Sequence, residues 1–161
     1  DRIRNLVDGR VVERAPGERL RDLVEPQRDR GDGVGDDPQF ADAVDAVAGI
    51  ESRGFILAAA LAERRGKGFV PIRKKGKLPP PVVDIAYDLE YGTGVLEMQA
   101  GQGRLLLVDD VLATGGTLAA SMVLSRQAGY VVQGIGVLID IGIAPGFRCE
   151  DHVPRIVLQY G

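Results

Sequence analysis

The chain has 161 residues, 45% of them hydrophobic and 27% charged, which suits one globular domain with a sizeable core. Its net charge of −3 argues against nucleic acid as the main partner, because a phosphate backbone asks for a basic face. The single cysteine, Cys149, excludes an intrachain disulfide and fits a reducing compartment. No apolar run approaches the roughly 20 residues that span a bilayer.

Residues 1–37 are polar and irregular, with charges scattered through Arg28-Asp29-Arg30-Gly31-Asp32-Gly33, and read as a surface arm. Asp1-Arg2-Ile3-Arg4 lacks the apolar core of a signal peptide, so a cytoplasmic protein without a membrane partner is expected. The apolar positions of 40–47 predict a short helix, followed by a loop, Gly49-Ile50-Glu51-Ser52-Arg53-Gly54. Residues 55–65 predict a helix closed by Gly66, and 69–73 a short strand. Residues 74–81 are basic, then proline-rich, and read as extended and mobile. Segments 85–89 and 95–99 predict a hairpin about Tyr91-Gly92-Thr93-Gly94. The apolar run 104–108 reads as a buried parallel strand. A helix over 118–128, a strand over 131–139 and a last strand over 155–160 complete the pattern. Alternating strands and helices predict an α/β fold with a mainly parallel sheet flanked by helices. One domain is expected over 1–161, with 1–48 as an N-terminal arm and hood portion and 49–161 as the core, carrying a mobile loop over 74–100.

The most informative stretch is Leu105-Leu106-Leu107-Val108-Asp109-Asp110-Val111-Leu112-Ala113-Thr114-Gly115-Gly116-Thr117. It reads as strand, two acids, small-residue loop, helix. A helix N-terminus presents unpaired N–H groups and the positive end of a dipole. Glycines let that backbone wrap an anion closely, and Thr114 and Thr117 add hydroxyl donors. The loop is therefore a phosphate cradle. Asp109 and Asp110 would repel the same phosphate, so they need another target. Sugar hydroxyls fit, since carboxylates accept their hydrogen bonds; a divalent cation is the alternative. A phosphate beside a diol describes a ribose 5-phosphate.

This stretch resembles the phosphoribosyl-pyrophosphate loop of the type I phosphoribosyltransferases. The resemblance implies that Asp109 and Asp110 hold the ribose hydroxyls and that Ala113, Thr114, Gly115, Gly116 and Thr117 hold the 5′-phosphate. It also implies a parallel core under a flexible hood, and Mg²⁺ carried by phosphoribosyl pyrophosphate and water with no direct protein ligand.

Three further stretches are similar to those of adenine phosphoribosyltransferases. Ile72-Arg73-Lys74-Lys75-Gly76-Lys77-Leu78-Pro79 gathers cations that can neutralise a departing diphosphate, with Arg73, Lys74 and Lys77 as binders. Gly49 to Phe55 resembles the family's pyrophosphate loop, in which Ser52, Arg53 and Gly54 would bind the diphosphate at a helix start. The family usually has Asp where Glu51 stands. Tyr87-Asp88-Leu89-Glu90-Tyr91-Gly92 resembles the mobile hood segment. N9 attack on the anomeric carbon leaves a proton to remove, and Glu90 is assigned that role. Tyr91 would close over the site and keep water out.

Pro16-Gly17-Glu18-Arg19-Leu20-Arg21-Asp22-Leu23 resembles the stretch that reads the adenine edge, which makes Leu20 and Arg21 the base-binding candidates. Leu20 stands where the family has a stacking aromatic. The family also has a longer stretch, with a buried strand, before its pyrophosphate loop. Here Ala43 to Ala48 runs almost directly into Gly49-Ile50, so that strand is expected to be missing, either trimmed or absent from the sequence.

The expected activity is adenine plus phosphoribosyl pyrophosphate giving AMP and pyrophosphate, in a homodimer. The alternatives are a xanthine or hypoxanthine–guanine enzyme, or a non-catalytic regulator that binds phosphoribosyl pyrophosphate. Cys149 and His152, three apart, are too few for a zinc site.

Overall fold

The computed structural model describes residues 3–7, 10–14, 43–89 and 92–160. Two short strands, β1 (Ile3–Val7) and β2 (Arg10–Arg14), pair antiparallel. These replace part of the irregular arm expected over 1–37.

The main sheet contains β3 (Ala46–Ile50), β4 (Gly68–Lys74), β5 (Val83–Leu89), β6 (Gly92–Met98), β7 (Gly103–Leu112), β8 (Tyr130–Asp140) and β9 (Arg155–Gln159). Helices α1 (Gly54–Arg65) and α2 (Gly116–Gln127) connect β3 to β4 and β7 to β8. The strand order is β5-β6-β4-β3-β7-β8-β9. β4, β3, β7, β8 and β9 run parallel, and the β5–β6 hairpin adds antiparallel at the β4 edge. The sheet is thus mainly parallel, as the element pattern predicts. The hairpin expected over 85–89 and 95–99 is β5–β6, and it occupies most of the 74–100 segment expected as a mobile loop.

One expectation is overturned. Residues 46–50 are a strand, not the end of a helix, and they sit between β4 and β7. The buried strand expected to be missing is therefore present. Val47, Ala48 and Ile50 are almost wholly buried, so no alternation marks the element; a short apolar run fits a buried strand and a buried helix turn equally.

The helices cover opposite faces. Ala58, Leu61 and Ala62 of α1 pack on Val47 and Val108. Leu118, Met122 and Leu124 of α2 share a core with Ala48, Ile50, Leu105 and Leu107. Gly49 permits the close approach of α1 to β3: a Cβ there would stand 2.9 Å from the Ala58 Cβ. Gly66 ends α1 at φ 60, the left-handed cap that glycine adopts without strain. No helix among the described residues is long and apolar enough to cross a membrane.

Candidate active site

Two loops leave the C-terminal ends of the neighbouring parallel strands β3 and β7, the place where open α/β sheets bind ligands. The register pairs Gly49 with Val108. Residues 51–53 therefore emerge beside Asp109 and Asp110. The Glu51–Ser52 peptide is cis. Each loop feeds a helix whose first turn holds no acid and whose N-terminus has no side-chain cap: α1 behind Arg53, α2 behind Gly115. Neither first turn carries an acid to offset the positive helix end, although at α1 the Phe55 and Ile56 N–H groups already turn back to the Ser52 and Arg53 carbonyls at 3.3 and 3.2 Å.

The strand–acids–loop–helix reading holds with shifted bounds. β7 runs on through Asp109 and Asp110 to Leu112, so the acids are held by the sheet. The free loop is only Ala113, Thr114 and Gly115; Gly116 and Thr117 already belong to α2. Thr114 is exposed, and Gly115 is buried. Gly115 adopts φ 84, and a Cβ there would lie within the Phe147 ring's own volume. Phe147, which the sequence reading passed over, thus backs the cradle. The signal that could have found it is weak: one aromatic in the Gly-rich stretch after β8.

The two acids differ in environment. Asp109 is 8% exposed. Burial pushes its carboxyl up to about 7, and the neighbouring Asp110 charge adds to the rise. The Asp110 backbone N–H donates to Asp109 Oδ1 at 2.9 Å. Asp110 is more open and takes Arg53 Nε at 2.8 Å. Arg53 of the first loop and the acids of the second are therefore already in contact. Ser52 is exposed, while Gly54 is buried against Val108 and Asp109.

The cations of β4 and its turn are not equivalent. Arg73 donates from Nε to Glu51 Oε2 at 3.3 Å, donates to the Lys77 carbonyl at 3.2 Å, and lies 5.8 Å from the Phe55 ring centre. Glu51 also accepts the Lys74 N–H at 2.9 Å. Lys75 turns away to Asp84 at 2.8 Å. Lys74 and Lys77 are exposed and form no ion pair among the described residues. Missed in the sequence was Glu97, whose carboxylate accepts the N–H groups of Gly76, Lys77 and Leu78.

The hood hairpin meets the cradle directly: a Cβ on Gly116 would lie 3.6 Å from the Asp88 carbonyl oxygen. Glu90 and Tyr91, which follow β5 in the sequence, lie outside the described residues, as do Leu20 and Arg21. No group of three or more His, Cys, Asp or Glu side chains among the described residues could hold a metal ion by itself.

Residues 36–144 match the model of the phosphoribosyl transferase domain. The chain is 50% identical over 117 residues to an adenine phosphoribosyltransferase of Bdellovibrio bacteriovorus, covering 73% of this chain and 71% of that protein. The chain belongs to the phosphoribosyltransferase family. The resemblance of its motifs to adenine phosphoribosyltransferases is borne out by these matches. Among solved phosphoribosyltransferases, the adenine enzyme of Thermoanaerobacter pseudethanolicus superposes with a TM-score of 0.67 at 38% identity, covering 76% of this chain and 77% of that one. The APRTase of Giardia lamblia, complexed with 9-deazaadenine, gives a TM-score of 0.66 at 37% identity, covering 73% and 71%. The chain therefore spans about seven-tenths of the length of these phosphoribosyltransferases.

Proposed function

We propose that this phosphoribosyltransferase transfers the 5-phosphoribosyl group from phosphoribosyl pyrophosphate to adenine, giving AMP and pyrophosphate. The observation that carries the reading is two helix starts fed by the neighbouring strands β3 and β7, with Asp109 and Asp110 beside the first of them and in the strand that leads to the second. A pentose with phosphate at one end and diphosphate at the other matches that layout, and the named relatives are adenine enzymes.

In this reading Ala113 to Thr117 bind the 5′-phosphate through backbone N–H groups and hydroxyls. Asp109 and Asp110 accept hydrogen bonds from the ribose hydroxyls. N9 of adenine bonds to C1′ as the C1′–oxygen bond to the diphosphate breaks, through an oxocarbenium-like state. Ser52, Arg53, Gly54, Lys74 and Lys77 bind the leaving diphosphate, while Arg73 braces the Lys77 turn beside them. Arg53 would move from Asp110 to the diphosphate. The purine proton goes to Glu90, Tyr91 closes the hood, and Leu20 and Arg21 flank the base. A magnesium ion would come to the site carried by phosphoribosyl pyrophosphate and water, with no direct protein ligand, while Asp109 and Asp110 would hold the sugar beside it. When bound it supplies positive charge against the leaving group.

We place the enzyme in the cytoplasm as a homodimer, which fits a buried, unpaired Cys149 and the family resemblance. The test is AMP formation from adenine and phosphoribosyl pyrophosphate with magnesium, run beside hypoxanthine, guanine and xanthine. Turnover with adenine alone is expected, and Glu90→Gln should lose turnover while keeping phosphoribosyl pyrophosphate binding. Turnover with a 6-oxopurine alone would overturn the adenine reading.

A further inference from the structure

Glu97 lies on β6, outside the two phosphate loops, and its side chain is nearly sealed from solvent at 2% exposure. A carboxylate this buried must be compensated. Its partners are three consecutive backbone donors: Gly76 N–H at 2.9 Å, Lys77 N–H at 2.6 Å and Leu78 N–H at 2.6 Å. Converging N–H groups of this kind form an anion nest, and here the anion is built into the protein. These bonds hold the carboxyl below its usual range, the Gly76 contribution being the largest.

The turn is fixed on its other side as well. Arg73, itself held by Glu51, donates to the Lys77 carbonyl. Lys75 N–H donates to the Val95 carbonyl at 3.0 Å. Lys77 is thereby gripped at both its N–H and its C=O, while its ammonium stays free of any ion pair among the described residues. A long lysine stem loses affinity to rotamer and backbone freedom. A rigid base for that stem removes part of the loss.

We infer that Glu97 is a positioning residue for the leaving-group site: it fixes the 76–78 backbone so that the Lys77 ammonium meets the diphosphate. This rests on the proposed role of the basic turn in binding diphosphate.

The test compares the parent enzyme with Glu97→Gln, Lys77→Ala, the double variant and Gly76→Ala. Glycine 76 sits at φ 80 with open space where a Cβ would go, so Gly76→Ala strains the turn without crowding the core. It carries the test if Glu97→Gln fails to fold. Two readouts are taken: KM for each substrate, and calorimetric binding of magnesium pyrophosphate. Glu97→Gln, Lys77→Ala and Gly76→Ala should each raise KM for phosphoribosyl pyrophosphate by about ten-fold and weaken pyrophosphate to match, with KM for adenine within about two-fold. The double variant should be no worse than the worse single, because both act through one ammonium. Multiplying effects, or an unchanged pyrophosphate affinity in Glu97→Gln or Gly76→Ala, would overturn the inference. If no base is turned over yet pyrophosphate binding shows the expected pattern, the adenine reading fails and the role of Glu97 stands.

Discussion

Gly54 and Asp109 touch across the two loops: a Cβ on Gly54 would stand 3.0 Å from Asp109 Oδ1 and 2.9 Å from the Val108 carbonyl oxygen. The first residue of α1 is thus packed directly on the buried acid of β7. Any side chain at 54 must move the acid or the helix. Gly54→Ala should cost about 1–3 kcal/mol of stability by overpacking. It should also weaken phosphoribosyl pyrophosphate binding more than adenine binding. Thermal melts and substrate-specific KM values check both; an unchanged phosphoribosyl pyrophosphate KM would show that the contact does not govern the site.

Asp109 should make the protein pH-sensitive. Its folded pKa of about 7 lies above the ordinary 3.8. A raised acid contributes stability that is fully present below the ordinary value and is lost as pH rises through the folded value. Asp109→Asn should therefore gain stability over the parent progressively from about pH 4 to pH 7, with no further gain above, at about 1.4 kcal/mol per unit of displacement as an upper bound. Denaturant melts across that range read it. Phosphoribosyl pyrophosphate affinity should rise between about pH 6 and pH 8 in the parent, as the carboxylate forms, and the part of that rise due to Asp109 should vanish in Asp109→Asn.

The cradle should not tolerate a methyl group at 115. Gly115 has φ 84, and its α-hydrogen faces the Phe147 ring. Gly115→Ala meets both a backbone cost of about 1–2 kcal/mol and the ring. Phe147→Ala in the same protein should relieve the collision and leave the backbone cost. Melting temperature and ribose 5-phosphate affinity should fall in the single variant and recover in part in the double; no recovery would mean the ring is not what Gly115 protects.

Asp45 should stabilise the fold only when ionised. The Arg104 guanidinium donates to it at 2.8 and 3.1 Å and the Arg104 N–H at 2.8 Å, holding its carboxyl well below the usual carboxylate range. A depressed acid contributes stability above its ordinary pKa and loses it as pH falls. Asp45→Asn should melt lower than the parent at neutral pH, and the two curves should converge in strong acid. The pair is half-exposed, so the gap should be small and should shrink in salt.

Much of the site was legible because its logic is local. The acids, the glycines and the threonines of 109–117 lie in one continuous stretch, although the helix begins two residues earlier than the pattern predicts, at Gly116. What was not legible depends on distant partners. Arg73 reads in the sequence as one diphosphate binder of a cation cluster, yet Glu51 takes it from another element, as Asp84 takes Lys75. Glu97 sits where alternation suggests a solvent-facing acid, and only the folded turn brings three N–H groups to it. The strand at 46–50 was hidden for the opposite reason: with neighbours on both sides and a helix on each face, it carries no period to read.

The sheet itself works as a gauge. Because β3 and β7 are immediate neighbours, about 4.8 Å apart, the two helix starts they feed are placed by that pitch together with the staggered strand ends at Ile50 and Leu112 and the opposite faces the helices take. That pitch is a property of backbone pairing and does not drift with surface substitution. A molecule with a single anionic group can satisfy one helix start only. One that carries anionic groups on both ends of a five-membered ring spans the gap and gains from both at once, as two tethered ligands do. Discrimination against ordinary sugar monophosphates would then be a matter of length, measured by the main chain before any side chain is consulted.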